Sequence, residues 1–458
     1  MIDPIDPAFR AALQDCPEDL GLMDEPDDLV RFAGDTSRAP ASPPAFVLRP
    51  KSPAGVQAAM TLCQAFNQPL VLQGGLTGLS GAARPQTGEV ALSTERLTAI
   101  EPVDVVGGRV TAEAGVPLER VQKAAEDAGL FFGVDIGARG SATVGGICST
   151  NAGGVRVLRY GMTRDQVRGI EAVLADGSVL SDMRPLDKNN DGLDLKQLFV
   201  GSEGTLGVIT RATFRLHPKP TIEKNALCAV AGPTEALALL SHLRGLLGPA
   251  LSAFEGIWPN VYAGACEHIG QRPLAPGAGL YVLVEMHGFS GTTVEDALEQ
   301  ALLSAYEDGL CSDIVVSQSG RDFAALWELR EACPEYTLSV GKLLAHDISL
   351  PLSVIPDFMA RARSCVLAID DQADFFVFGH LGDGNLHFLV QSREEGAVKQ
   401  AVNALAADFG GSISAEHGVG VLKKPYLPLV LGTDEQLAMR RIKHVLDPTD
   451  ILNRGRIL

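Results

Sequence analysis

Between residues 45 and 218, short apolar runs alternate with stretches whose apolar positions recur every three or four residues. Phe46–Leu48 and Leu70–Leu72 are strand-like, and Ala54–Phe66 has helical spacing. Val110–Ala114 predicts a strand, followed by a helix from Pro117 to Ala128 with its proline near the first turn. Gly169–Leu174 and Ser178–Leu180 predict a hairpin about Asp176-Gly177, a strong turn dipeptide. From 219 to 375 the pattern changes: strand-like runs at 226–231, 281–286 and 313–317 alternate with helical patterns at 233–247, 293–307 and 321–333. That predicts an antiparallel sheet covered by helices. A last amphipathic helix spans Asp434–Leu446. Residues 1–44 hold one short amphipathic segment, Phe9–Leu13, before acidic and proline-rich sequence, and are expected to form a mobile arm or lid in which Asp35–Arg38 is a solvated loop.

The longest polar interruption, residues 133–161, contains eight glycines, with Ser141, Thr143, Ser149, Thr150 and Asn151 between them and Asp135 as its only carboxylate. Glycine permits positive φ and close backbone approach. So dense a run without an apolar period is not expected to form a core helix or strand. Its N–H groups need acceptors, and a pyrophosphate would satisfy them. Val144, Ile147 and Val155 argue against a flexible linker. Residues 73–81, QGGLTGLSG, and 198–209, LFVGSEGTLGVI, share this chemistry. Three Gly/Ser/Thr loops beside apolar runs predict one large cofactor held mainly by backbone. Neither G-x-G-x-x-G nor G-x-x-x-x-G-K-[ST] occurs, which disfavours a Rossmann site and a P-loop.

A second constellation lies in residues 375–390, FFVFGHLGDGNLHFLV. Asp383-Gly384 suits a type I′ turn. Pairing about it sets Gly382 opposite Asn385, Leu381 opposite Leu386, and His380 opposite His387 on one face, where two imidazoles can chelate a divalent metal. Downstream, GSISAEHGVG at 411–420 places Glu416 at the end of a short apolar strand as a third ligand, a set that suits zinc or manganese. Adjacent strand residues point to opposite faces. Gly418 and Gly420 permit the turn that would bring His417 to the same site, where it is the candidate general base, with His346 as the next candidate.

Composition narrows the partners. A net charge of −18 argues against nucleic acid and against an anionic membrane surface. An anionic substrate must therefore meet a local cation. Of the eight cysteines no two are close enough for a redox pair or a cluster. The N-terminal segment lacks an apolar signal core, and no 18-residue apolar stretch occurs, so a cytoplasmic protein without a transmembrane helix is expected.

Gln73–Pro85, Asp135–Gly154 and Gly201–Thr210 resemble the flavin-binding signatures of the FAD-linked oxidases of the vanillyl-alcohol oxidase superfamily. From residue 45 onward the chain is similar to the D-2-hydroxy-acid dehydrogenase branch, which includes D-lactate and D-2-hydroxyglutarate dehydrogenases. The resemblance implies an α+β fold. After the arm 1–44 come a two-subdomain FAD-binding domain at 45–218, an antiparallel-sheet substrate (cap) domain at 219–424 carrying the metal site, and a C-terminal helical segment at 425–458 that returns to the FAD domain. It implies that the first loop (Gly74, Gly75, Leu76, Thr77, Gly78, Leu79, Gly81) and the second (Asp135, Ile136, Gly137, Gly140, Ser141, Thr143, Gly145, Gly146, Ser149, Asn151, Gly153, Gly154) wrap the FAD pyrophosphate, with Tyr160 close by. Glu203, Gly204, Gly207, Val208 and Ile209 of the third loop would run beside the adenosine, and Asn453 would contact FAD from the returning tail. No histidine precedes His217, so the implied FAD is non-covalent.

In the same branch an H-L-G-D-G-N-L-H hairpin supplies two metal-ligand histidines, matching His380 and His387, and an E-H-G motif supplies a ligand and a base, matching Glu416 and His417. An arginine in W-x-L-R-E binds the substrate carboxylate, matching Arg330. Polar residues that hold a second carboxylate in hydroxyglutarate members are replaced by Pro334, Ala345 and Leu389, with Lys342 three residues before Ala345. The expected function is metal-assisted oxidation of a D-2-hydroxy acid to the 2-oxo acid, with hydride transfer to FAD. Its rivals are a D-2-hydroxyglutarate-specific dehydrogenase and a non-catalytic flavin-binding subunit of a glycolate or lactate oxidase complex. An external electron acceptor (an electron-transfer flavoprotein, quinone or cytochrome) is expected, and a homodimer is one candidate assembly, although the sequence names neither the acceptor nor the oligomer.

Overall fold

The computed structural model describes residues 5–37, 39–184, 186–290 and 296–458. Arg38 and the first residues of the helical pattern at 293–307 lie outside them; the described helix there is Ala297–Glu307. The chain forms two compact units. One comprises Met1–Gly153, Met162–Lys219 and Glu416–Leu458; the other comprises Gly154–Gly161 and Pro220–Ala415. The sequence had placed 154–161 with the glycine loops and 416–424 on the substrate side; the division of contacts puts each in the opposite unit.

The first unit holds three sheets, the smallest being the two-stranded pair Leu130–Phe131 and His217–Pro218. A parallel one runs in the order Val47–Leu48, Val90–Ser93, Leu70–Gln73, and an antiparallel one in the order Arg109–Glu113, Val208–Arg215, Val167–Val173, Val179–Asp182. The Asp176-Gly177 hairpin forms with Val173 opposite Val179 and Gly177 at φ +81°. Each of the two larger sheets has its own apolar core, with Phe46, Met60 and Leu92 in the parallel one and Val121, Phe199 and Phe214 in the antiparallel one.

Two expectations fail here for physical reasons. The N-terminal segment is not a mobile arm. It folds as the helix Pro7–Gln14, which buries Phe9 and Leu13 and sets Phe9 6.0 Å from Phe46 and 5.3 Å from Phe66, ring centre to ring centre. Nor is the second glycine loop without helix. Val144–Thr150 forms one, capped by Thr143 Oγ1 accepting from the Gly146 N–H at 3.4 Å. Val144, Ile147 and Cys148 are buried, an i, i+3, i+4 stripe that the intervening glycines had obscured.

The second unit is a seven-stranded antiparallel sheet with helices on both faces. Its strand order is Asp313–Val316, Ile222–Val230, Leu280–Gly288, Leu251–Ile257, Asp374–Gly379, Asn385–Gln391, Leu344–Ser349. One face packs on Pro233–Leu247, Ala297–Glu307, Ile355–Ile369 and Glu395–Asp408, through Phe254, Phe358 and Phe388. Burying a side chain of that size stabilises by about 1.5–3 kcal/mol. The other face packs on Pro259–Ile269 and Gly320–Ser339, and there buried charges interrupt the apolar contacts: Glu255, Glu285 and Arg330.

Gly154–Gly161 joins this unit through polar anchors. Glu285, fully buried, accepts from Arg156 Nε at 2.9 Å, Ser252 Oγ at 2.8 Å and Trp327 Nε1 at 2.9 Å. Burial alone would raise its pKa, but Arg156 and His287 outweigh that and hold the carboxyl far below the usual range. Arg159 donates to the His287 carbonyl at 2.6 Å, and the Tyr160 hydroxyl meets His287 Nδ1 at 2.8 Å.

Candidate active site

In the first unit the three glycine loops and the C-terminal segment line a cleft of about 370 Å³. Gly75 lies so close to the second loop that a Cβ would sit 1.8 Å from the Ser141 carbonyl oxygen, so any side chain there would separate the loops. Gly74–Leu79, Ile136, Gly137, Thr143, Gly145, Gly146, Ser149, Gly153, Glu203, Gly204, Val208, Ile209 and Asn453 all line the cleft, as do Glu416 and His417. Gly81, Asp135, Gly140, Ser141, Asn151 and Gly207 of the expected set do not. Asp135 instead pairs with Arg139 at 2.5 Å, and the Asn151 side chain accepts from the Arg164 N–H at 2.9 Å. Gly154 and Tyr160 belong to the second unit.

Sequence reasoning missed two wall residues. The Asp35 side chain is buried, paired with Arg84 Nε at 2.7 Å, and not part of a solvated loop. Gln73 donates to the carbonyls of Phe32 and Ala83, both at 2.8 Å. Asp35 Oδ2 and Gln73 Oε1 are buried acceptors without a hydrogen-bond partner among the described residues. A cofactor bearing hydroxyl and ring N–H donors fits a cleft whose wall holds such acceptors and whose loops present backbone.

Glu203 ties three parts of this unit together. Its carboxylate accepts from the N–H groups of Val419 at 2.6 Å and Gly420 at 2.8 Å, directly after the Glu416-His417 pair. Its carbonyl accepts from Asn453 Nδ2 at 2.6 Å, and Asn453 Oδ1 accepts from Leu72 N–H at 2.7 Å. Burial pushes the Glu203 carboxyl up to about 7, against the opposing pull of the two N–H donors. Residues 411–420 form isolated bridges, Ser412 to Ser349 and Ser414 to Asp347, and not the short strand expected before Glu416. The expected turn does occur, with Gly418 at φ +77°.

In the second unit the hairpin register differs from the expected one by two residues. Phe378, not His380, is the strand partner of His387. The connection is a five-residue loop, His380–Gly384, because its tip is drawn inward: Leu381 is fully buried, and the Gly382 N–H donates to the Phe254 carbonyl at 2.9 Å. The two imidazoles still meet, with ring centres 5.4 Å apart. That spacing lets two rings share one ion at nitrogen–metal distances of about 2.0–2.1 Å. Asp347, which the sequence did not single out, is the strand partner of His387, with Oδ1 3.7 Å from His387 Nδ1 and 2.9 Å from the Asn385 amide nitrogen. His346 belongs to the opposite face: it pairs with Phe388, and its Nδ1 lies 3.1 Å from the Phe388 carbonyl oxygen.

Glu255 is the other residue that sequence reading missed. Only 1% exposed, it lies 2.8 Å from Arg330 Nε, and both its oxygens lie 2.9 Å from His380 Nδ1. Its one sequence signal is a lone acid in the apolar strand LSAFEGI. Arg330 stacks over Phe378 at 5.0 Å and donates to Glu255 through Nε, a bond that does not engage the two terminal nitrogens of the guanidinium.

The FAD binding domain family matches residues 44–182, and the C-terminal domain family of the FAD-linked oxidases matches residues 219–457. The chain is 38% identical over 470 residues to a D-2-hydroxyglutarate dehydrogenase of Xanthomonas citri pv. viticola, covering 99% of this chain and 97% of that protein. It is 34% identical over 448 residues to a putative mitochondrial D-lactate dehydrogenase of Schizosaccharomyces pombe, covering 94% and 85%. Its fold is shared with p-cresol methylhydroxylase, solved with substrate bound: TM-score 0.78, 16% identity, 98% of this chain and 95% of that one. The chain therefore belongs to the FAD-linked oxidases, alongside the D-2-hydroxyglutarate and D-lactate dehydrogenases to which it is similar over most of its length.

Proposed function

We propose that this flavoprotein oxidises a D-2-hydroxy acid to the 2-oxo acid with the help of a divalent metal, zinc or manganese. The observation that carries this reading is the buried set in the second unit, where Glu255 holds both Arg330 and one of two adjacent imidazoles. Bound FAD would supply the hydride acceptor, and a divalent metal, which His380, His387 and Glu416 would hold, would supply a Lewis acid to lower the hydroxyl pKa. The chain's own groups do the rest. Arg330 orients the substrate carboxylate through paired N–H donors. The His417 imidazole takes the hydroxyl proton on a ring nitrogen. The reduced protein then passes its electrons to an external acceptor.

The preferred substrate in this reading is a monocarboxylate. Beside His387 on the same sheet face stand Leu389, Ala345 opposite it on one side and Phe376 on the other, all without a charge to meet a second carboxylate. Lys342 is exposed and paired with Glu395, and Pro334 is exposed on Gly320–Ser339. D-2-hydroxyglutarate is the second reading, favoured by the 38% identical relative, a D-2-hydroxyglutarate dehydrogenase. An anaerobic screen of D-2-hydroxy acids, followed by bleaching of the flavin band, tests both. D-lactate or a larger monocarboxylate is expected to give the higher kcat/KM; a higher value for D-2-hydroxyglutarate than for every monocarboxylate would reject the first reading.

The FAD is proposed to be non-covalent, since His417 is the only histidine among the described residues lining the cleft and the mechanism requires its ring nitrogen. Acid precipitation is expected to leave intact FAD in the supernatant. Flavin that stays with the pellet would show a covalent bond.

A further inference from the structure

We propose that Glu255 is a positioning residue that serves two partners at once: it fixes the ring form of His380 and the location of Arg330. This rests on the metal-assisted reading above and adds a residue to it. A carboxylate on Nδ1 at 2.9 Å selects the tautomer with hydrogen on Nδ1. The basic lone pair of His380 is then on Nε2, the form a divalent ion requires, and the carboxylate raises that nitrogen's basicity. The same carboxylate accepts from Arg330 Nε at 2.8 Å. Because Glu255 is almost wholly buried in the central strand Leu251–Ile257, neither partner can drift without moving the sheet. One side chain thus couples the group that would bind the metal to the group that would bind the substrate carboxylate.

Glu285, the other buried glutamate on this sheet face, has different partners. Glu285 contacts Arg156, Ser252 and Trp327, and its partners anchor Gly154–Gly161. Asp347 accepts from Asn385 within the strand pair. Glu255 touches two of the proposed functional side chains, Arg330 and His380.

The test is the affinity of the purified, FAD-loaded protein for Zn(II) and for Mn(II), measured by competition with a chromophoric chelator, alongside kcat and KM. Glu255→Gln keeps the shape but removes the charge, and is expected to weaken metal binding roughly 10–100-fold. Arg330→Gln keeps the Glu255–His380 pair, so its metal affinity is expected to stay within about threefold of wild type while KM rises. A buried arginine left without its carboxylate could compromise folding of the single variant. The double variant Glu255→Gln/Arg330→Gln removes both charges and is expected to show the same metal loss. Metal affinity near wild type in both variants that lack Glu255 overturns the assignment. A loss in Arg330→Gln equal to that in Glu255→Gln also overturns it, because that variant retains the pair. A wild-type chain that binds neither ion would overturn the metal-assisted reading itself, and this assignment with it.

Discussion

His417→Ala is expected to purify yellow, with its metal in place, and to be reduced by substrate roughly 10²–10⁴-fold more slowly than wild type. The size follows from the role. Removing a positioned base leaves binding and cofactor intact and costs only the proton transfer. The structure supplies the reason to expect a clean separation. His417 lines the flavin cleft, its side chain is 25% exposed, and it is not one of the groups packed into either apolar core. The backbone just after it is held independently by the Glu203 carboxylate on the N–H groups of Val419 and Gly420. Truncating the imidazole should therefore leave the loop in place. Stopped-flow reduction under anaerobic conditions measures the step directly. A wild-type rate would mean that the proton goes to another group, and His346 would not be that group, because its Nδ1 engages the Phe388 carbonyl on the opposite sheet face.

The second large effect should come from His387→Ala. This variant is expected to retain FAD, lose most of its divalent metal, and fall in kcat/KM by about 10²–10⁴-fold, the several kcal/mol that a Lewis acid contributes. FAD should survive because the flavin cleft is built entirely from the first unit, whereas His387 is on a strand of the second. The ring also packs 5.0 Å from Phe378, centre to centre, so its loss leaves a small void, and thermal unfolding should be recorded alongside. His346→Asn is the control: same sheet, opposite face, with metal content and activity expected to stay near wild type. Metal analysis of the dialysed proteins decides the matter. Full occupancy in His387→Ala together with near-normal flavin reduction would remove the metal site as proposed.

Much of the second unit was legible because its signal is local. The runs at 226–231 and 281–286 became the strands Ile222–Val230 and Leu280–Gly288, and the helical pattern at 233–247 became Pro233–Leu247. What the sequence could not show were features decided by distant partners. A two-residue turn at Asp383-Gly384 is the local optimum, but burial of Leu381 and the Gly382–Phe254 hydrogen bond override it. Glu255 is invisible as a functional residue until Arg330 and His380, 75 and 125 positions away, are brought to its two oxygens. The helix Val144–Thr150 was hidden for a different reason: low helix propensity at two glycines masked an apolar stripe that packing rewards. Asp35 was read as solvated because the composition around it is polar, yet Arg84 pairs with it out of water.

The assignment of Gly154–Gly161 to the second unit has a consequence for how the protein is made. The chain crosses from one unit to the other four times, at 153/154, 161/162, 219/220 and 415/416. During translation Arg156 emerges 129 residues ahead of Glu285, the carboxylate that neutralises it. At about 5–20 residues per second that is a wait of roughly 6–26 s. The cleft of the first unit likewise stays incomplete until Glu416–Leu458, made after the whole of the second unit, supplies Glu416, His417 and Asn453 to its wall. Neither unit can therefore be completed on the ribosome before the other has begun, and a nascent chain truncated after Lys219 would display an arginine-bearing segment whose seat does not yet exist.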